Sequence, residues 1–331
     1  MSIFLSRGFR QRFSRINHEN NMKALTSETL YGNWATLLLA TDDDGGMDYS
    51  RLSDEIDVLI DSAPDGIYSN GTAGEFYSQS HDEFLKISEM LAEKCEKSGV
   101  PYQIGVSHPC AQESLKRLES IKHLAPGAVQ VILPDWFPVN DAAAVSFMEK
   151  MGEAAGDIPV VLYNPPHAKK VLHPSMWQTL RSHCPNLIGV KVFDNNCSQQ
   201  WYADMNANND GISVFVPGHH LATGVLNGAK GAYSNVACIN PHAAQKWYDM
   251  MLSDMDAALE MEQRIQSFMK ECIDPFIVRY GYPNHACDRF MALVGGWADV
   301  GAFLRWPYSS IPQVEVERVR KTGHDIIPEF I

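Results

Sequence analysis

Short apolar runs alternate with longer amphipathic stretches along most of the chain. The runs are Trp34–Leu39, Gly66–Asn70, Tyr102–Ser107, Ala128–Leu133, Pro159–Asn164, Leu187–Val192, Ser213–Pro217 and Gly231–Asn235. Each is strand-sized and bounded by Gly, Pro, Asn or Asp. Several are continuously apolar, as parallel strands buried on both faces read. The intervening stretches, such as Tyr49–Ser62, His81–Ser98 and Gln112–Leu124, are helix-sized. Some of their starts carry capping residues: Ser80 precedes His81-Asp82-Glu83, and Asn140 precedes Asp141. Eight strand–helix units over residues 33–252, about 27 residues each, predict an α/β fold of the (β/α)8 TIM-barrel type. The rival, a doubly wound sheet, lacks the GxGxxG turn that would follow its first strand.

From about Asp254 the period becomes helical only. Ala257–Ile277 and Asn284–Leu304 read as helices, and Pro307 and Pro312 interrupt the chain before a last short one. The expected division is an N-terminal extension over 1–29, expected to be flexible, a barrel over 30–253, and a helical appendage over 254–331 packed on the barrel. Residues 1–18 carry Arg7, Arg10, Arg12 and Arg15 with Ser2, Ser6 and Ser14, and no acid occurs before Glu19. That composition resembles an organelle transit peptide. A natural start at Met22, with an upstream arm, is the other reading.

Composition changes this picture little. A 331-residue chain with 45% hydrophobic and 20% charged residues is of ordinary globular type. A formal net charge of −13 argues against nucleic-acid and anionic-membrane partners. No apolar run approaches the roughly 20 residues needed to span a bilayer. The seven cysteines are odd in number and form no CxxC pair, which fits a reduced cytoplasmic protein and gives structural zinc no support.

In such barrels chemistry sits where strands end. Lys191 is near the end of the sixth run. Inside an apolar barrel its ammonium would lose hydration, and a neutral amine there is a nucleophile toward a carbonyl. The position also fits a lysine paired with a carboxylate or reaching to solvent. Tyr163 ends the fifth run, 28 residues earlier, which is one strand–helix unit. A phenol beside an imine-forming lysine can carry protons; a core tyrosine is the plainer reading. Gly71-Thr72-Ala73-Gly74-Glu75 follows the second run. Its backbone amides and Thr72 suit the carboxylate of a 2-oxo acid, although most glycine-rich turns are only turns.

Taken in order, Gly71–Glu75, then Tyr163-Asn164-Pro165-Pro166, then Gly189-Val190-Lys191 resemble the dihydrodipicolinate synthase/N-acetylneuraminate lyase family, with its GTTGE or GSTGE loop, YN-x-P strand end and G-I/V-K strand end. Gly218 and the stretch Gly228–Asn235, which includes Ser234, match later landmarks, so the resemblance covers about residues 30–310. It implies Lys191 as Schiff-base lysine, Tyr163 as proton carrier, Thr72 and the Ala73 amide as carboxylate clamp, and Glu75 as support for the loop. Gly218, His219, His220 and Ser234 are carried as substrate-binding candidates. It also implies a homotetramer.

The departures are informative. The family's second loop hydroxyl is Ala73 here. The synthases' tyrosine pair, which completes a proton relay across a subunit contact, is replaced within Pro134-Asp135-Trp136-Phe137. Their carboxylate-binding arginine is Ala168, within His167-Ala168-Lys169-Lys170, and the lyases' sugar-binding acids become His219 and His220. Trp136, His167 and Ala168 are therefore candidates for a rewritten second-substrate pocket. The expectation is a divergent Schiff-base aldolase acting on pyruvate or a related 2-oxo acid together with an aldehyde, requiring no metal or organic cofactor. Dehydration of a sugar-derived 2-oxo acid and a non-catalytic keto-acid-binding remnant are alternatives, and dihydrodipicolinate synthesis itself is disfavoured.

Overall fold

The computed structural model describes residues 22–331, so the arginine-rich stretch lies outside the described residues. Eight parallel strands close into a barrel in chain order: β1 (Gly32–Thr36), β2 (Gly66–Ser69), β3 (Tyr102–Gly105), β4 (Ala128–Ile132), β5 (Val160–Asn164), β6 (Leu187–Val192), β7 (Ser213–Phe215) and β8 (Gly231–Ser234). Helices alternate with them: α1 (Tyr49–Asp61), α2 (His81–Ser98), α3 (Ala111–Ile121), α4 (Asp141–Ala155), α5 (Trp177–His183), α6 (Gln199–Asn208) and α7 (Leu221–Leu226). This is the predicted TIM barrel. The predicted caps are present. Ser80 and Glu83 close a reciprocal capping box on α2, and Asn140 accepts the Ala143 N–H at 2.8 Å on α4.

The first strand starts and ends earlier than its apolar run. After Thr36 the chain leaves the ladder, yet Leu37, Leu38 and Leu39 stay buried. Glu55 of α1 accepts the Leu38 N–H at 2.8 Å, so a carboxyl replaces the missing strand partner. Burial and strand pairing therefore part company at this end of the run.

The barrel interior is plugged by Trp34, Tyr68, Phe215 and Tyr233, with ring centroids 4.8 to 5.9 Å from Tyr233. Gly66 is required by this plug, because a Cβ there would lie 2.6 Å from the Trp34 ring. The Tyr233 hydroxyl donates to Gln103 at 2.8 Å, which satisfies its polar end.

Beyond β8 the chain is helical: α8 (Val236–Ile239), α9 (Pro241–Ser253), α10 (Met255–Phe268), α11 (Asp274–Val278), α12 (Asn284–Gly295) and α13 (Glu315–Ile326). Two helices expected to be continuous are shorter. The run Ala257–Ile277 is interrupted by a π-turn at Met269–Ile273, and Pro275, which has no N–H to give, sits in the first turn of α11. The run Asn284–Leu304 stops at Gly296, a left-handed cap with φ +67°. One apolar core runs from the barrel helices into this region. Helix α12 packs on α8, and Asn284, Asp288 and Met291 on it line the cavity that Lys191 shares. Its buried Arg289 donates to Glu75 at 2.7 Å, to the Leu39 carbonyl at 2.7 Å and to the Val300 carbonyl at 2.6 Å. No helix among the described residues is long and apolar enough to cross a membrane.

Candidate active site

Parallel pairing sets the centre of the site. Tyr163 of β5 is the register partner of Lys191 of β6, so both side chains leave the barrel at one level. They share a cavity of ≈ 260 Å³ with Thr72, Ala73, Gly218 and His219 from the loops and with Tyr68 and Tyr233 from the plug below. The Lys191 Nζ lies 4.2 Å from the Tyr163 ring centroid and 5.3 Å from that of Tyr233.

Burial pulls the Lys191 amine down to about 8, against the opposing influence of Asp288 and Cys238. Roughly a tenth of the amines are then neutral at pH 7, against roughly one in three thousand for an ordinary lysine. Burial pushes the Tyr163 phenol up to about 12, partly offset by a hydrogen bond with Thr72. Tyr163 is therefore protonated and able to donate at neutral pH.

Glu75 faces away from the cavity. It takes the Arg289 guanidinium on one oxygen and the Arg305 N–H, at 3.0 Å, on the other. It thus fastens the loop to the helical region, in keeping with the supporting role expected of it.

The other predicted residues divide. Gly218 lines the cavity and packs so closely on Ser234 and Asn235 that a Cβ would come within 2.7 Å of Asn235. His219 lines it too; burial and the neighbouring His220 push it down to about 4, which leaves a neutral ring beside Asn235. Ser234 and His220 do not line it. The Ser234 hydroxyl accepts the Ala237 N–H at 3.1 Å, and His220 turns to Asp194 at 3.0 Å. Asp194, Cys197 and His220 bring three metal-capable side chains together, a grouping their sequence spacing concealed. Their contacts are those of a hydrogen-bond network, in which Asp194 also accepts from the Tyr202 hydroxyl at 2.9 Å.

A second, larger hollow of ≈ 480 Å³ adjoins the first and shares Thr72, Tyr163 and Pro165 with it. His167 and Ala168 line this hollow, along with Tyr77, Tyr308 and His285. The last three form an aromatic cluster with centroids 4.7 to 5.1 Å apart. The Tyr77 hydroxyl and the His285 Nε2 have no hydrogen-bond partner among the described residues, and burial pushes His285 down to about 4. Trp136 is not part of either wall. It is 78% exposed, because its loop turns outward and its ring stands beside the Lys169 ammonium. Lys169 donates to the Trp136 carbonyl and Lys170 pairs with Asp141, so neither occupies the hollow.

The helical region supplies what was missed. Asn284, Asp288 and Met291 of α12 line the first cavity, as do Met269 and Ile273 of the π-turn, Asp274 of α11 and Cys238 of α8. Their one sequence signal is that Asn284, Asp288 and Met291 fall at i, i+4 and i+7, on one helical face.

The dihydrodipicolinate synthetase family pattern matches residues 30–320. The 4-hydroxy-tetrahydrodipicolinate synthase of Methanococcus aeolicus is 30% identical over 200 residues, spanning 60% of this chain and 68% of that protein. Among solved structures, Escherichia coli YagE, a prophage protein determined in complex with pyruvate, superposes with a TM-score of 0.78 at 20% identity, covering 90% of this chain and 98% of its own. A Ruminococcus gnavus sialic acid aldolase superposes at 0.77 with 18% identity, covering 94% of this chain and 100% of its own. With the family's landmarks at the strand ends and its pattern matched across barrel and helical region alike, the chain belongs to the dihydrodipicolinate synthetase family, a family of lyases.

Proposed function

We propose that this lyase forms a Schiff base between Lys191 and pyruvate or a related 2-oxo acid, and makes or breaks a carbon–carbon bond to an aldehyde. The observation that carries the reading is the depressed Lys191 amine in register beside Tyr163 in one cavity. Neutral Lys191 attacks the 2-oxo carbon. Tyr163, which shares the cavity with Thr72, gives the proton with which the carbinolamine hydroxyl leaves as water. The Thr72–Ala73 loop receives the substrate carboxylate. The resulting cationic imine is the electron sink.

The second hollow supports a neutral, aromatic or apolar aldehyde. Its wall is an aromatic cluster with a neutral His285, and Lys191 is the one lysine or arginine lining either cavity among the described residues. A carboxylate on the aldehyde would find no guanidinium there. Trp136 and Phe137, 78% and 74% exposed, favour self-association as their cover, which sedimentation at micromolar concentration would show as a species larger than monomer.

Reduction with borohydride in the presence of pyruvate tests the reaction. Intact mass should show one pyruvate-derived adduct on the wild type. A wild type unlabelled by pyruvate and by a series of other 2-oxo acids would remove the Schiff-base reading.

A further inference from the structure

Tyr163 enters the cycle as a proton donor, and the phenolate left when water departs is the rival base for the step that follows. The residues that stand where the family keeps a phenol relay offer none: Asp135 lines the outer hollow and Trp136 is exposed. Yet once an iminium has formed, a base must remove a proton from C3 to make the nucleophilic enamine. The cavity holds a group suited to this step that neither the strand ends nor the family landmarks include.

We propose that Asp288 is a catalytic residue, whose carboxylate takes the C3 proton of the iminium on Lys191; this rests on the Schiff-base reading above. Asp288 comes from α12 and faces the same cavity as Lys191, Tyr163 and Thr72. The titratable groups within its electrostatic reach are Lys191 and Tyr163 from the strands, Tyr77 from the loop after β2, Cys238 from α8 and Cys287 from its own helix, and Asp274 from α11 and His219 from the loop after β7 line the same cavity. Lys191 is the cation among them. Burial pushes the Asp288 carboxyl up to about 7, and Lys191 opposes the rise. The carboxyl is thereby poised where a proton can be both taken and returned at neutral pH.

The step balances within the site. The C3–H bond breaks and its electrons form the C2=C3 bond. The C2=N pair withdraws to nitrogen as a lone pair, and the proton goes to a carboxylate oxygen of Asp288. A carboxylate and an iminium become a carboxylic acid and an enamine. Charge separation disappears, which costs least where water is excluded. When the enamine C3 attacks the aldehyde, the same carboxylic acid delivers its proton to the forming alkoxide. Retro-aldol cleavage runs the sequence backward.

Position is secured independently of catalysis. Arg289, the next residue, is buried against Glu75, which closes the Gly71–Glu75 loop. The loop assigned to the substrate carboxylate and the helix carrying the base are thus joined by one ion pair.

The test separates imine formation from proton abstraction. Full-length enzyme is incubated with pyruvate in D2O, and loss of the methyl signal is followed by NMR; borohydride trapping is measured in parallel. Wild type should exchange, with a rate rising through pH of about 7 as the carboxylate forms. Asp288→Asn should still be trapped by borohydride but should exchange at least about 10²-fold more slowly. Asp288→Glu should recover part of the rate. Wild-type exchange in a trapping-competent Asp288→Asn variant would overturn the proposal. So would loss of trapping and exchange together in both variants, which would show Asp288 to be structural. Failure of the wild type to trap pyruvate would instead strike the Schiff-base reading itself.

Discussion

The cavity has two walls of different origin. One is made by strand ends and carries Lys191, Tyr163 and the Thr72 loop. The other is made by α8, the π-turn, α11 and α12, and carries Cys238, Met269, Ile273, Asp274, Asn284 and Asp288. The first wall is held by backbone pairing, because the β5–β6 ladder puts Tyr163 opposite Lys191 whatever their side chains do. The second is held by side-chain packing and by the buried Arg289–Glu75 ion pair. In the proposed reaction the strand wall supplies the nucleophile and the proton donor. The helical wall supplies the added carboxylate and much of the apolar enclosure that depresses the lysine. A residue change on the strand wall should therefore act on one chemical step, whereas a break in the join between the walls should act on stability and on the whole site.

The largest effect is expected from Lys191→Ala. It removes the covalent route, so turnover and borohydride labelling should both vanish while the circular dichroism spectrum stays that of wild type. Near-wild-type turnover would end the assignment of Lys191. Tyr163→Phe should slow imine formation by roughly 10²–10⁴-fold, with the ring still packed and the unfolding midpoint little changed. Single-turnover trapping rates measure this, and an unchanged rate would leave Tyr163 as packing alone. Together these two variants sharpen the strand wall into a nucleophile and a proton carrier.

Glu75→Ala attacks the join instead. It strands the buried Arg289 charge, which typically costs about 3–5 kcal/mol when one partner of a buried pair is removed. Urea unfolding should show that loss, and a shift of only a few tenths would mean that the carbonyls of Leu39 and Val300 satisfy Arg289 unaided. The smallest effect concerns the outer hollow. Ala168→Arg should raise kcat/KM for a carboxylate-bearing aldehyde roughly 10- to 150-fold relative to a neutral aromatic one, since one charged hydrogen bond is worth about 1.5–3 kcal/mol. Competition kinetics with pyruvate as common donor would measure the ratio. A wild type that already prefers aspartate semialdehyde would contradict the neutral-aldehyde reading.

These walls also differ in how far they can be read from the chain. Lys191 and Tyr163 follow from counting one strand–helix unit between two apolar runs. Parallel strands in a closed barrel leave little freedom in where those ends point. Ser234 and His220 stand at equally suggestive places, yet one accepts the Ala237 N–H of α8 and the other serves Asp194. Strand position told where these residues are, while local hydrogen bonding decided which way they face. Trp136 shows a similar gap: its place after β4 was right for the pocket, and its loop carries it outward.

Periodicity, spacing and motif order by themselves determined the barrel and the placing of Lys191, Tyr163 and the Gly71–Glu75 loop at one end of it, because a period of two and a repeating unit are local properties of a chain. The helical wall was decided only in three dimensions. Asp288 sits in an ordinary amphipathic helix almost a hundred residues from Lys191, and its sequence neighbours do not reveal that this face closes a cavity. The depressed lysine and the raised carboxyl belong to tertiary structure as well. Both arise from exclusion of water, against the opposing pull of each other's charge across the cavity, which no local pattern encodes.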